Sequence, residues 1–396
     1  MLHTINGFSD PQFRAVTSAF KAQLNQHGGG GALCVLWQGK PVIDIWGGDR
    51  DQNSPWLEDT PVVCYSTTKG VLVSLLHAVL HAGKVNYDTT IAKIWPSFKH
   101  SGKSDLTIRQ LLHHQLGLFD TSQCIPHIAD AFDWDQMVWS LARATPQVRY
   151  VNQCAYHAMT FGWLAGELIR RLTGLRPGQY LASEFRQVMG RHNWIGVPER
   201  HLPLVAKIMS QPEAKNQRVR LTHRIHNRLN QQLQRTLLLN RNLRTSLGPT
   251  LVDFDPNHPS FLINEVPALN GVFTARGLAK LYQLLIEQNQ RQKRTWFADD
   301  LFDFERTPKL TGRDRVLQLP MHWRLGYHRI FNLRRPTPRA FGHYGLGGSG
   351  AFCDLDRQLA VGFNLNTLWG APLADYRMTQ LTGLILQAVD TTLLKN

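Results

Sequence analysis

Ser66 and Lys69 stand three residues apart in Cys64-Tyr65-Ser66-Thr67-Thr68-Lys69-Gly70, just ahead of the apolar segment Val71 to Leu80. On a helix, positions i and i+3 share one face, so this spacing sets a hydroxyl beside an amine. A serine hydroxyl becomes a useful nucleophile only when a base takes its proton. Lysine is such a base only where burial or nearby positive charge lowers its pKa from about 10.4. The pair therefore demands an enclosed site. A helix starting near Ser66 would add unpaired N–H groups and a dipole that favour an oxyanion there. The same spacing recurs at Ser18-Ala19-Phe20-Lys21, but Phe13, Val16, Phe20 and Leu24 fall at helical spacing around it. That second copy reads as the solvated face of an amphipathic helix.

Acyl chemistry at a serine also needs a group to pass the proton to the leaving atom, and donors for the oxyanion. Two tyrosines could do the first: Tyr150-Val151-Asn152, which fits a Tyr-x-Asn pattern, and Tyr156-His157-Ala158, which precedes the apolar helix Phe161 to Leu168. The glycine-rich run Phe341-Gly342-His343-Tyr344-Gly345-Leu346-Gly347-Gly348-Ser349-Gly350 suits the second, because glycines let backbone N–H groups approach a ligand closely. Gly347-Gly348-Ser349-Gly350 hints at a nucleophile elbow, but Ala351 replaces the closing glycine and strand follows where a helix would be needed. His77 and His81, at i and i+4, lack a third ligand or an HExxH pattern and read as packed or surface histidines, as do His113 and His114. No metal and no cofactor is expected.

The elements that must hold these residues follow from periodicity. An amphipathic helix is predicted over Asp10 to Gln26, stopped by Gly28 to Gly31. Ala32 to Trp37 and Val42 to Trp46, joined by Gln38-Gly39-Lys40-Pro41, read as an antiparallel hairpin. From about 70 to 270 the pattern is mainly helical, with a short helix at Leu106 to Leu112 and a strong one at Phe161 to Leu172. After a helix over Ala275 to Gln288, segments near Trp323 to Ile330, Ser349 to Asp354 and Leu359 to Asn364 read as a strand meander, and Ala374 to Leu394 as a final helix. This order predicts an α+β fold in which both chain ends complete an antiparallel sheet. Residues 10–70 and 270–396 form the sheet domain, and 71–269 form an inserted helical domain.

The chain of 396 residues is long enough for that plan and is 43% hydrophobic, as globular enzymes are. Its formal net charge of +15 is concentrated in part at 206–246, where nine Lys or Arg face one acid, Glu213. This basic insertion could touch an anionic membrane or a polyanion, although a solvated helical face over the core is the expected reading and a nucleic-acid partner is not expected. The N-terminus has neither a basic n-region nor a long apolar core, and Val71 to Ala82 is too short to span a bilayer, which points to a cytoplasmic protein. Five scattered cysteines without a CxxC pair suit reduced, buried thiols better than disulfides or zinc. Cys64, beside the nucleophile, falls in an alternating run that points it into the core.

Together these segments resemble the serine β-lactamase and penicillin-recognising family, in its class C-like branch with the carboxylesterases of β-lactamase fold. Ser66-Thr67-Thr68-Lys69 is similar to the nucleophile motif, Leu111 to Leu118 to the "LLxHxSGL" segment, and Ala275-Arg276-Gly277-Leu278-Ala279 to the "ARGLA" helix start. The run around His343-Tyr344-Gly345 is similar to an HxG variant of the family's Lys-Thr-Gly strand. The likeness spans about 10–390, with 185–260 poorly matched. It implies a β-lactamase/transpeptidase-like fold and fixes the tyrosine, since the family's Tyr motif runs into a Tyr/Phe-Gly-x-Leu helix and Phe161-Gly162-Trp163-Leu164 sets that register on Tyr156. The implied catalytic set is Ser66, Lys69 and Tyr156, with His343 and Gly345 on the substrate side. The oxyanion would be held by the N–H of Ser66 and, from the turn Gly345 to Gly347, that of Leu346. Ala158 replaces the usual amide and His343 the usual lysine, and both changes favour a carboxylesterase-like hydrolase of small esters or amides over a β-lactamase or D-Ala-D-Ala peptidase. A non-catalytic binding protein using the basic segment is the contrasting reading. The oligomeric state is not specified by these motifs.

Overall fold

The computed structural model describes residues 3–125, 127–209, 240–248, 255–291, 295–332, 335–368 and 375–394. Most of the basic insertion, residues 210–239, lies outside the described residues. The strands are β1 (Ile5–Ser9), β2 (Gly30–Trp37), β3 (Lys40–Gly48), β4 (Val62–Val63), β5 (Val272–Phe273), β6 (Ala340–Tyr344), β7 (Gly350–Asp354) and β8 (Leu359–Leu365). Six of them form one antiparallel sheet in the order β1-β3-β2-β8-β7-β6, and β4 pairs with β5 apart from it. The principal helices are α1 (Arg14–His27), α2 (Thr67–Ala82), α3 (Ile108–Leu112), α4 (Trp134–Arg143), α5 (Thr160–Thr173), α6 (Arg241–Leu247), α7 (Ala275–Gln290) and α8 (Arg377–Leu393). The architecture is therefore mixed α and β: helices flank an antiparallel sheet, and a helical region is inserted between its two groups of strands.

The central strands β2 and β8 are covered on both faces, so alternate side chains feed two apolar layers. Leu33, Val35, Val361 and Phe363 pack with Phe20 of α1 and Leu381 and Ile385 of α8. Cys34, Leu36 and Ala360 face α7, whose Leu278, Leu281 and Leu285 belong to the larger core shared with the helical region. Small residues on that face are a steric need. A Cβ on Gly362 would lie 2.2 Å from the Ala275 carbonyl oxygen, so the helix could not sit where it does. The β2–β3 hairpin turns on Gln38 and Gly39, both at positive φ (53° and 77°), the pair of left-handed residues that a two-residue primed turn requires.

Two expectations need correction. Trp323 to Ile330 is not a strand, because Leu325 (φ 45°) and Gly326 (φ 87°) turn the backbone, leaving only the bridges Arg324 to Tyr327 and His328 to Gly342. The regular strand instead falls inside the glycine-rich run, as β6. The edge strand β1 was not foreseen, because its residues are largely exposed and it exists by pairing with β3.

At the centre of the molecule runs α2, buried along nearly its whole length from Thr67 to Leu80. A helix that is apolar all round must be enclosed by others. Each of Val71, Leu72, Leu75 and Leu76, with no exposed surface, contributes about 1.5–3 kcal/mol of burial. This helix is the rigid base on which the Ser66 motif is presented. Among the described residues, no helix is long and apolar enough to cross a membrane.

Candidate active site

Ser66 is the N-cap of α2, at the end of the chain's run out of β4. The residue before it, Tyr65, lies in the left-handed region at φ 46°. Such a conformation costs a bulky residue about 1–3 kcal/mol and persists only where surroundings enforce it. Here they do: the Tyr65 side chain is buried, its carbonyl accepts the Thr68 N–H at 2.9 Å, and the Cys64 N–H donates to Gly271 O at 2.8 Å. The turn leaves Ser66 partly accessible while its neighbours Thr67 to Lys69 are sealed.

Lys69 has no exposed surface, and its Nζ stands 3.2 Å from Ser66 Oγ and donates to Ala268 O at 2.8 Å. Among the described residues no carboxylate offsets its burial, so desolvation pushes its pKa well below the usual lysine range. A neutral amine then keeps one N–H on Ala268 O and has a lone pair for the serine proton. From the other side, the Tyr156 hydroxyl donates to Ser66 Oγ at 3.0 Å. Burial raises the Tyr156 pKa, with the Ser66 hydrogen bond opposing this, so the phenol is protonated at neutral pH. The arrangement thus sets an amine and a phenol against one hydroxyl. Tyr150 is elsewhere: its hydroxyl accepts from Asn242 Nδ2 at 2.8 Å and its ring packs on Phe119.

Tyr156 is held by residues the sequence reading passed over. Asp314 Oδ1 accepts the Tyr156 backbone N–H at 3.1 Å, together with those of Val316 (2.8 Å) and Leu317 (2.9 Å). Its Oδ2 accepts the Trp323 indole N–H at 2.9 Å, and Trp323 stacks on the Tyr156 ring, 5.4 Å between centroids at 10°. One buried carboxylate therefore fixes both the backbone of the tyrosine and the plate beneath its ring. His114 closes the other edge, its ring 5.0 Å from that of Tyr156.

The glycine-rich segment delivers the remaining wall. β6 ends at Tyr344, and Gly345 then passes so close to the start of α2 that a Cβ there would lie 2.3 Å from Cys64 O and 2.8 Å from Thr67 Oγ1. Thr67 Oγ1 donates to Ser349 O at 3.1 Å, which clamps the turn onto the helix. The Gly345 N–H is used up on Ser349 O at 2.7 Å. Those of Ser66 and Leu346 bond nothing among the described residues, which leaves them as the free donors of the site. His343 sits in β6 with Nδ1 3.0 Å from Tyr344 O and Nε2 buried without a partner. Burial first, then His328 and Lys69, hold its pKa well below the usual histidine range. It is a neutral imidazole and brings no positive charge to the site.

Ser66, Tyr156, His343, Gly345 and Leu346 all open onto one cleft of about 410 Å3. Its walls are largely apolar, with Leu243 and Leu247 of α6 packed in one cluster with Leu317, Met321, Trp323 and Phe331. A partly enclosed apolar cleft with a few convergent polar groups is what a small-molecule site needs. Ala158 lines it with a methyl group, and its N–H is spent on Ser246 Oγ at 3.0 Å. His77 uses both ring nitrogens on Leu325 O and the Tyr87 hydroxyl, and no group of three potential metal ligands gathers among the described residues.

A sheet closed by both chain ends, an inserted helical region, and a serine flanked by lysine and tyrosine at the start of a buried helix define a serine hydrolase of the β-lactamase-related type. The Beta-lactamase family model matches residues 13–381, and the chain belongs to that family. It is 32% identical over 376 residues to Esterase/beta-lactamase LipL of Mycobacterium tuberculosis, covering 91% of this chain and 83% of that protein. Among solved structures, a penicillin-binding protein homolog from Caulobacter crescentus matches with a TM-score of 0.80 at 28% identity, covering 97% of this chain and 100% of the other. A family VIII carboxylesterase matches with 0.79 at 27%, with the same coverage. Esterases are prominent among these relatives.

Proposed function

We propose that the chain hydrolyses small carboxylic esters through an acyl-enzyme on Ser66. The observation that supports this most is Ser66 Oγ lying 3.2 Å from a buried, uncompensated lysine amine and 3.0 Å from a protonated phenol, at the floor of an apolar cleft. Ser66 Oγ attacks the ester carbonyl as Lys69 takes its proton. The N–H groups of Ser66 and Leu346 receive the oxyanion. Collapse breaks the bond to the alkoxide, which takes a proton through the Lys69 and Tyr156 pair, and water returns along the same route to release the acid. Esters are favoured over β-lactams because His343 is neutral and Ala158 carries no amide. Neither a cation near the nucleophile nor a side-chain amide is then offered to a carboxylate-bearing lactam. A cytoplasmic location is part of this reading, and five unpaired cysteines suit a reducing compartment. The reading requires no partner for the basic segment 206–246.

The test is labelling with an active-site fluorophosphonate and turnover of p-nitrophenyl esters, on wild type and Ser66→Ala. Both signals should vanish in the variant. Labelling that persists in Ser66→Ala would overturn the nucleophile, and a labelled but esterolytically inert wild type would overturn the substrate class. A chromogenic cephalosporin belongs in the same panel, because the name of the relative LipL joins esterase to β-lactamase. Turnover of it at a rate matching the best ester would favour that second activity.

A further inference from the structure

One charged residue of the cleft is unaccounted for by ester hydrolysis. Arg329 lines the same cleft as Ser66, with its guanidinium carbon 5.1 Å from the centroid of Phe331, another wall residue. Its Nε is buried and has no acceptor, and no acidic side chain pairs with it among the described residues. A sealed donor without an acceptor is unfavourable, and native proteins rarely leave one without reason. The acid that lines the cleft, Asp375, cannot supply the missing partner. It is committed to Arg377, whose Nε donates to its Oδ1 at 3.0 Å.

The neighbouring basic groups supply no acceptor for it either. Lys309 is pushed down to about 8 chiefly by burial, with Arg324 and Arg329 adding to this and Asp354 and Asp356 opposing it, and it donates to Thr337 O and Ala340 O. His328, next in the chain, is pushed to about 4 chiefly by burial, and donates from Nδ1 to Arg329 O while its Nε2 accepts the Tyr344 N–H. His343 is neutral as well. Among the described residues Arg329 is thus the lining charge without a counter-charge, on a largely apolar wall, where charge-assisted hydrogen bonds are strongest. A guanidinium lying near an aromatic ring offers its planar fork to a matching two-oxygen acceptor.

We infer that Arg329 forms an anion subsite, and that the substrates of this cleft are esters carrying a carboxylate remote from the scissile carbonyl. The word substrate rests on the ester hydrolysis proposed above, whereas the binding preference does not. The carboxylate would accept from the two terminal nitrogens of Arg329, which bond nothing among the described residues, while the ester carbonyl lies at Ser66. Carboxylate recognition would then rest on Arg329, beside His328, and not on the β6 residue His343.

Binding is read first, on the Ser66→Ala protein, which cannot turn the probe over. Monomethyl adipate should bind at least tenfold more tightly than methyl adipamate, its neutral amide isostere, by calorimetric titration. The preference should fall below twofold when Arg329→Gln is added and be partly restored by Arg329→Lys, which keeps charge without the fork. Should Arg329→Gln fail to fold, the reduced preference of Arg329→Lys carries the reading. Equal affinity for the two probes, including none for either, overturns the subsite, as does a preference that survives Arg329→Gln. Turnover is read second: the kcat/KM ratio of mono-p-nitrophenyl adipate to p-nitrophenyl hexanoate should fall at least tenfold in Arg329→Gln. Preferential binding with no turnover of either ester would refute ester hydrolysis and leave the subsite standing. Turnover without the preference would do the reverse.

Discussion

Lys69 concentrates the conflict between stability and chemistry at a single residue. Its folded pKa is depressed by burial, so between that value and the unfolded value of about 10.4 the unfolded chain binds the extra proton. Stability must therefore rise with pH across that window and lie lowest, in this contribution, below the folded pKa. Lys69→Met removes the dependence. Urea unfolding of both proteins from pH 6 to pH 10 should show wild type gaining on the variant as pH rises, and a constant difference would mean that Lys69 is not desolvated. The same variant should lose about 10²–10⁴-fold in kcat/KM, the usual effect of removing a proton-transfer group. Wild-type activity should follow the neutral amine, with an acid limb whose midpoint lies well below 10.4. Tyr156→Phe keeps the stack on Trp323 and removes only the hydroxyl. It should lower kcat/KM by about 10²-fold or more with unchanged near-ultraviolet dichroism, and activity within threefold of wild type would remove Tyr156 from the mechanism.

At the level of elements, two segments distant in sequence must meet the start of α2 within tight limits. Gly345→Ala drives a methyl group into Cys64 O and Thr67 Oγ1. Overpacking of this kind destabilises by about 1–3 kcal/mol, and here the strain falls on the turn that carries the Leu346 N–H. Activity should drop at least tenfold while α2 itself is retained, as seen by far-ultraviolet dichroism and ester turnover together. Asp314→Asn can keep its three backbone donors only by turning its NH2 toward the Trp323 indole, so one donor is orphaned whichever way it lies. A loss of about 1–3 kcal/mol in urea unfolding is expected, along with a lower kcat as the Tyr156 ring loses its backing plate. An Asp314→Asn enzyme as stable and active as wild type would show that Tyr156 is held by other contacts. The contrast between these elements explains what could be read from sequence. The Ser66 motif was legible because a strand, a turn and an apolar helix all lie within about twenty residues. Asp314 and Trp323 were not, since the bond from the Tyr156 N–H to Asp314 spans 158 positions and no local pattern records it. Trp323 to Ile330 looked like a strand because its apolar spacing is strand-like, whereas the left-handed turn at Leu325 and Gly326 is imposed by packing. Gly326 lies so close to Val73 that a Cβ would come within 2.5 Å of its side chain.

For the molecule as a whole, the apolar cleft sets the substrate profile. Each buried methylene is worth about 0.8 kcal/mol, so kcat/KM for p-nitrophenyl esters should climb up to about fourfold per added carbon until the cleft is filled and then level off. A flat profile from acetate onward would place the acyl chain in solvent. The architecture that builds this cleft also dictates an order of events during synthesis. The first motif made holds the nucleophile, yet the clamp that completes its surroundings, Thr67 Oγ1 on Ser349 O, joins residues 282 positions apart. At 5–20 residues per second, a ribosome needs roughly 15–55 s to travel between them. Throughout that interval the chain owns a serine and a lysine but no second oxyanion donor. On the proposed mechanism the nascent protein should be hydrolytically silent until β6 and β7 join the sheet, and the emergence of activity on a stalled-ribosome series would time the closure of the fold.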